Sequence, residues 1–408
     1  MSVVAELDRS KIVQLDFRSD DFRKHAHRHV AAWARRAPFY VLGDGPPQLI
    51  VGRYADVNEV FSDAERFASQ LPKGPGFEQY DKFMGVPFLT QMDGEQHARL
   101  RRLLMPAFSA RRMEQVETSI AEIIEGMLDD IERNGPAFDA MTDYGAKLVV
   151  GALVTTMMGF NEARRQILLD YQDMLPLATA TKPGQPYPAE CQRAMKRATD
   201  LAHEVIAERR AGLRSDFLND LVQARDHGDK LSDDELFGMI FGLFGALAAT
   251  SRSAGGALYA LYSHPDQLAQ LIRDPALIPD AIEECLRFAS NGYFTFARIA
   301  TRDTTVGGTE IFKGMVVRPS PLAANYDPDV FPDPQRFDIH RKPKRILSFA
   351  TGSHHCVGNI LGRTTITIAI CRLLARFPDA RLADPNFVPV YGGAVGELRL
   401  QSLSMMIH

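Results

Sequence analysis

Apolar positions along the chain recur mostly with the period of a helix. From Glu95, "EQHARLRRLLMPAFSARRMEQVETSIAEIIEGMLDDI" sets an apolar residue every three to four positions, which predicts successive helices with one buried face. An earlier helix is expected in "FRKHAHRHVAAWARRAP". The pattern breaks at "ERNGPA", "TKPGQPYP" and "DHGDK". Strand signals are few. "PFYVL" and "QLIVG", joined by "GDGPP", predict a hairpin, and "FVPVYGGAVGELRLQSL" predicts another near the end. From Arg318, "RPSPLAANYDPDVFPDPQRFDIHRKPK" is rich in proline and loses all period, so an irregular meander held by side-chain contacts is expected. The fold class is mainly α with small β sheets. "TKPGQPYP" joins two helices and reads equally as a mobile lid or a plain surface turn.

One segment is unusually apolar: "SDDELFGMIFGLFGALAATSRSAGGALYALYSHPDQ". Ser232 and Glu235 have the spacing of a capping box, and His264-Pro265 ends the pattern. One continuous helix of about 31 residues, roughly 46 Å long, is predicted. Gly238, Gly242, Gly245 and Ala249 share a face, where a second helix or a ligand can come close to the backbone. The uncharged core "LFGMIFGLFGALAATS" falls short of the roughly 17–25 residues of a spanning helix. Acidic residues precede it and Arg252 follows, so it reads as a buried core helix.

Composition narrows the classes. With 408 residues and 45% hydrophobic content the chain can bury a large core. Chains of this length often divide into domains, yet no linker or charge run marks a boundary. A net charge of -4 gives no basic stripe for nucleic acid. The four cysteines, Cys191, Cys285, Cys356 and Cys371, form no CxxC pair, which points away from a disulfide framework and toward a reducing cytoplasm. The first residues, "MSVVAELDRSKIVQLD", are charged throughout and lack the apolar core of a secretory leader.

The candidate chemistry is in "SFATGSHHCVG", Ser348 to Gly358. Cys356 precedes the predicted helix "NILGRTTITIAICRLLARF", where a helix dipole lowers a thiol pKa. Gly352 and Gly358 let the backbone turn sharply and approach a flat partner. Such a thiolate suits metal ligation, including the axial position of haem. Adjacent histidines cannot converge with it on one zinc tetrahedron, and His355 is poorly set to be its base. A buried structural cysteine remains open on these residues alone.

The pattern Phe349-x-x-Gly352-x-His354-x-Cys356-x-Gly358 resembles the haem-binding loop of the cytochrome P450 family. Three further motifs follow the family's order. "AIEECLR" holds Glu284 and Arg287 one turn apart, like the pair that locks the meander, with Arg336 of "FPDPQRFD" as the expected third partner. "HARLR" holds His97 and Arg101, which match propionate ligands, as do Arg298 of "FARIATRD" and His354. The resemblance is strongest from about Ser232 to Leu374 and extends weakly over the rest. It implies one domain over residues 1–408, with haem b (iron protoporphyrin IX) between the long central helix and the Cys-loop helix and Cys356 as the axial ligand.

The resemblance also carries a departure. Counting back from "HPDQ" without a gap puts the family's proton-relaying acid and alcohol at Ala248 and Ala249, which can do neither job. Thr250 is present but points about 100° away from Ala249. A substrate- or water-held relay, Thr250 or Ser251 after local helix widening, or peroxide or other non-hydroxylating chemistry are the alternatives. The implied activity is a monooxygenase using O2 and electrons from a ferredoxin and its reductase, with a non-catalytic haem or ligand-binding protein as the reading from another class. The implied substrate is compact and apolar, a terpenoid or an aromatic ring, met by Phe241, Phe244, Gly245, Phe294 and Phe296. Phe77, Tyr80, Phe83, Met84 and Phe88 are candidate lid contacts. Arg252 is expected in a structural ion pair or on an acidic substrate group. Arg99, Arg102, Arg111, Arg112 and Arg363 would face an acidic ferredoxin. A cytoplasmic location and no nucleic-acid or membrane partner complete the expectation.

Overall fold

The computed structural model describes residues 6–43, 46–70, 88–148, 151, 154–181, 185–212, 216–226, 229–290, 292–294, 296–343 and 345–408. Helix α1 (Asp20–Trp33) begins at Ser19, whose hydroxyl accepts the Phe22 N–H, and turns Phe22, Ala26, Val30 and Trp33 inward. The expected hairpin follows as β1 (Phe39–Val41) and β2 (Gln48–Val51), antiparallel with Tyr40 opposite Leu49. Helix α2 (Tyr54–Ser62) leads to β3 (Phe67–Ala68). Two later strands, β4 (Arg298–Ala300) and β5 (Val316–Pro319), complete one five-stranded sheet in the order β1-β2-β5-β4-β3. Strand β5 runs parallel to β2 with Val317 beside Leu49, and both side chains are buried. The C-terminal hairpin is also present, pairing Tyr391 with Leu400.

Most of the remaining body is helical, with α3 (Gly94–Leu104), α4 (Ala110–Asn134), α5 (Glu162–Ala180), α6 (Ala189–Arg210), α7 (Asp233–Ala246), α8 (Ala248–Tyr262), α9 (Ile278–Phe288) and α10 (Asn359–Arg376) as its main helices beside three further, smaller sheets among the described residues. Helix α10 packs along α4, α5 along α6, and α8 on α9 and α10. The meander between Asn325 and Leu347 carries no helix or strand among the described residues.

The central segment differs from expectation in one respect. It is two helices in series with a turn at Leu247. The Thr250 N–H reaches the Leu247 carbonyl at 3.1 Å, a bond of the tighter i to i−3 kind. Glycine and alanine surround the turn and offer no long side chain to hold a regular phase. The capping box at Ser232 and Glu235 is made in both directions. Among the described residues this is the one helical stretch long and apolar enough to span a bilayer, and half of it lies buried within the fold.

The close approaches also fall elsewhere on this helix. A Cβ at Gly255 would collide with Met141 Sδ, and one at Gly256 would meet the Ala289 carbonyl at 2.7 Å. At Gly242 it would meet the Phe88 ring at 3.2 Å, and at Gly245 it would meet nothing within 4 Å. So Gly255 and Gly256 let neighbouring elements in, while Gly245 borders open space.

Candidate active site

Cys356 lies three residues before α10 and is a free, half-buried thiol. Its N–H donates to the Phe349 carbonyl at 3.0 Å, and its carbonyl accepts Asn359 Nδ2 at 2.8 Å, so both backbone groups of the ligand position are fixed. Gly352 has φ +71°, and a Cβ there would meet the Phe61 carbonyl at 2.6 Å, so the loop needs glycine to seat against α2. Gly358 has an ordinary φ of -86°, and its Cβ would lie 4.0 Å from Cys356 Sγ. Its value is space beside the sulfur, where a flat ring would lie. The Phe349 ring is covered by the Arg363 guanidinium, 4.3 Å from its centroid.

The expected lowering of the Cys356 pKa is overturned. Burial pushes the thiol up, and the Gly358 N–H, Arg101 and Arg363 only partly oppose it. Desolvation of the charged form outweighs the helix end. A thiolate here therefore needs a bound cation, and a metal that ligates sulfur deprotonates it outright.

A cluster of cationic groups stands beside the loop. His97 is 3% exposed and Arg298 4% exposed. The His97 and His354 rings are 4.2 Å apart, and Arg101 Nη2 donates to the His355 carbonyl at 2.8 Å. Burial drives the His97 pKa down to about 4, helped by His354 and Arg101. Burial likewise lowers Arg298, whose Nη1 reaches, among the described residues, the Phe296 and Ala297 carbonyls at 3.3 and 3.4 Å. His97 Nε2 is buried without a hydrogen-bond partner. Buried like charges and an orphaned donor are costly unless an anion joins them. Two carboxylates of a haem edge are such anions, and a free sulfur stands nearby for its iron, so the residues fit the group.

Sequence reading missed the residues that hold His354. Its Nε2 is committed to Asp93 Oδ1 at 3.1 Å and Ser69 Oγ at 3.0 Å. Burial pushes the Asp93 carboxyl up, but the bond to His354 and the Ser69 N–H outweigh it and hold the pKa at about 2. Asp93 at the N-cap of α3 was a visible signal for a cap, though its side chain serves Ser69 and His354.

Glu284 and Arg287 are fully buried and doubly bonded, at 2.7 and 2.8 Å. Arg287 Nη1 also donates to the Asn325 and Pro334 carbonyls, which ties α9 to the meander. The expected third partner is corrected. Arg341 Nε, and not Arg336, meets Glu284 Oε1 at 3.1 Å. Arg336 contributes its backbone carbonyl, to Arg341 Nη2 at 2.8 Å and to Arg287 Nη2 at 3.4 Å. The meander turns so that a residue five positions later reaches the carboxylate. Asn325 and Ser348 carry the lock onward: Leu347 N–H donates to Asn325 Oδ1, and Ser348 Oγ to the Leu286 carbonyl.

On α7 and α8, Ala248 is buried and Ala249 and Thr250 are half-buried. The turn before Thr250 is tightened, so the widening that would bring Thr250 or Ser251 inward is not made. Ser251 Oγ instead packs by Gly145. Phe241 and Phe244 are corrected from pocket to core. Phe241 stacks on Phe237 and meets Tyr171, and Phe244 meets Phe160. Phe294 is also core, stacked on Trp33 and beside Tyr293. Phe296 is 59% exposed and, with Gly245, remains open. Phe88 is buried against Gly242, while Phe77, Tyr80, Phe83 and Met84 lie outside the described residues, as does part of "TKPGQPYP".

The arginines expected to face a partner are largely neutralised within the chain. Arg99 pairs with Glu235 and Asp229, Arg102 with Glu95, and Arg363 with Glu283. The side chains of Arg111 and Arg112 lie outside the described ones. Ala98, Arg101, Arg102, Met105 and Pro106 line an open groove, and Met105 and Ile360 are exposed.

Comparison with known proteins agrees with this geometry. Residues 17–380 match the family described as Cytochrome P450. The chain is 33% identical over 348 residues to the mycinamicin IV hydroxylase/epoxidase of Micromonospora griseorubida, covering 84% of this chain and 85% of that one. It is 32% identical over 307 residues to a steroid monooxygenase of Mycolicibacterium smegmatis, covering 75% and 76%. The crystal structure of the LnmA cytochrome P450 hydroxylase from the leinamycin pathway of Streptomyces atroolivaceus superposes with a TM-score of 0.83 at 30% identity, over 96% of this chain and 99% of that one.

Proposed function

The chain belongs to the cytochrome P450 family, and on that premise we propose that it is a haem-thiolate monooxygenase of compact apolar substrates, terpenoid or aromatic, using O2 and electrons from a ferredoxin and its reductase. The observation that carries the reading is the free Cys356 near the buried Arg298 and the orphaned His97 Nε2. Haem b, when bound, supplies the oxidation of an otherwise unreactive carbon. The chain's residues do the rest. Cys356 holds the iron through a loop fixed by Phe349 and Asn359. His97, Arg101 and Arg298 neutralise the propionates, with His354 positioned by Asp93 and Ser69. Gly245 leaves room above the ring, and Phe296 borders it. The groove lined by Met105 and Arg101 is where an electron donor would dock.

Ala248 and Ala249 can hold no proton, so protons come from water or from the substrate itself. That same pair of alanines favours a second reading, peroxide-driven oxidation, which needs no such delivery. The protein acts as a single domain in the cytoplasm. The reading is tested by turnover with ferredoxin, reductase and reduced nicotinamide. Product formed with hydrogen peroxide alone supports the second reading. Ligand binding without product under either condition would leave only a binding protein.

A further inference from the structure

Arg252 is the only charged residue between Leu236 and Tyr262. It sits three residues past Ala249 and seven past Gly245. Within α8 residues three apart share a face, so Arg252 lies on the side of Ala249. Its side chain is 16% exposed, and Nη2 stands 3.2 Å from Glu397 Oε1. Nε is buried without a hydrogen-bond partner. A guanidinium carries five N–H donors and does not deprotonate in proteins. One carboxylate at this distance leaves most of those donors unused.

Glu397 is better held. Its Oε2 accepts the Ala394 N–H at 3.1 Å. The Tyr293 and Phe294 N–H groups both donate to the Gly396 carbonyl, which pins its loop beside the segment that leads to Phe296. The anion therefore has a fixed seat, and the cation has donors to spare. Keeping a half-satisfied charge in an apolar helix costs stability, a cost that a ligand acceptor would offset.

We propose that Arg252 is a substrate anchor: its terminal N–H groups bind an oxygen acceptor, a carboxylate or a ketone, on an otherwise apolar substrate, with Glu397 as the resident counter-ion. This rests on the monooxygenase reading above and adds a polar handle to its substrate class. The handle also offers a way to hold a molecule over Ala249, where the chain supplies no polar group of its own.

The test titrates the haem-loaded enzyme with adamantane, 2-adamantanone and adamantane-1-carboxylate, three cages of one size, by haem spin-state shift and by calorimetry. An anchor binds the carboxylate or the ketone roughly tenfold or more tighter than adamantane, and the stronger of the two names the acceptor. Arg252→Gln then removes that preference and leaves adamantane unchanged. Glu397→Gln removes the competing anion and tightens the carboxylate several-fold, an effect that a purely structural ion pair would not give and that does not depend on Arg252→Gln folding. Adamantane binding with no preference for either acceptor overturns the anchor alone. No binding of any cage overturns the compact apolar pocket, and the anchor with it.

Discussion

Below the haem slot, the backbone around Cys356 is tied to other parts of the chain. The loop is pinned to Phe349 and Asn359, and its neighbours lead through Ser348 and Asn325 to the buried Glu284–Arg287 pair. Above the slot, α7 and α8 offer glycine, alanine, one tightened turn and a single half-satisfied arginine. The lower side fixes one atom, a sulfur, whose position tolerates little error. The upper side, where the proposed function puts the substrate, has small residues and space at Gly245. The difference teaches where this chain places its buried polar bonds: around the loop of the proposed ligand Cys356 and not along α7 and α8.

Experiments on each side should differ accordingly. Cys356→Ser abolishes the carbon monoxide band of thiolate ligation and all turnover; a retained band would end the case for this ligand. Arg287→Ala leaves the buried Glu284 with Arg341 as its remaining cation, strips the meander of its tie to α9 and costs about 3–5 kcal/mol of stability, read by denaturant unfolding together with lost haem. Arg341→Ala removes one charged bond to the same carboxylate and costs about 1–3 kcal/mol, whereas Arg336→Ala keeps its carbonyl and costs at most about 0.5 kcal/mol. Equal effects of the two would break the assignment of the third partner.

Acid should act on the cationic ring of the apoprotein. In the folded chain His97, and also His27 of α1, which packs on Tyr391 outside that ring, titrate at about 4, against an ordinary 6.5, mainly because burial disfavours their charge. Unfolding between those values takes up protons, so their contribution is full above 6.5 and is lost as pH falls toward about 4. His97→Phe removes part of that slope in apoprotein unfolding measured across the window. Bound haem flattens it too, since propionates favour the charged imidazole. A slope untouched by either would mean that His97 does not face the propionates. The smallest effect is expected above the slot. Ala249→Thr changes the fraction of reducing equivalents that reach product by a few-fold, with little change in stability; unaltered coupling would put the relay elsewhere.

Much of the lower side was legible. A cysteine between glycines, the Glu-x-x-Arg spacing and the His97–Arg101 turn are local patterns, and local spacing survives folding unchanged. The helices and both hairpins were legible for the same reason, since burial of one face repeats at 3.6 or 2 residues. What failed were statements about direction. Phe241, Phe244 and Phe294 were expected in the pocket and lie in the core, because an apolar ring satisfies either side of a helix equally well.

The chain's own order of residues determined which groups exist: the thiol, its glycines, the buried ion pair, and the absence of an acid and an alcohol at Ala248 and Ala249. Tertiary structure decided which groups meet. Arg341 took the place expected for Arg336, Asp93 and Ser69 took hold of His354, and Glu397 came to Arg252 from 145 positions away. It also reversed the expected shift at Cys356, where burial outweighs the helix end. Spacing along a chain reports neighbours within a turn or two, while contact between distant segments and the loss of water around a charge appear only once the chain has closed on itself.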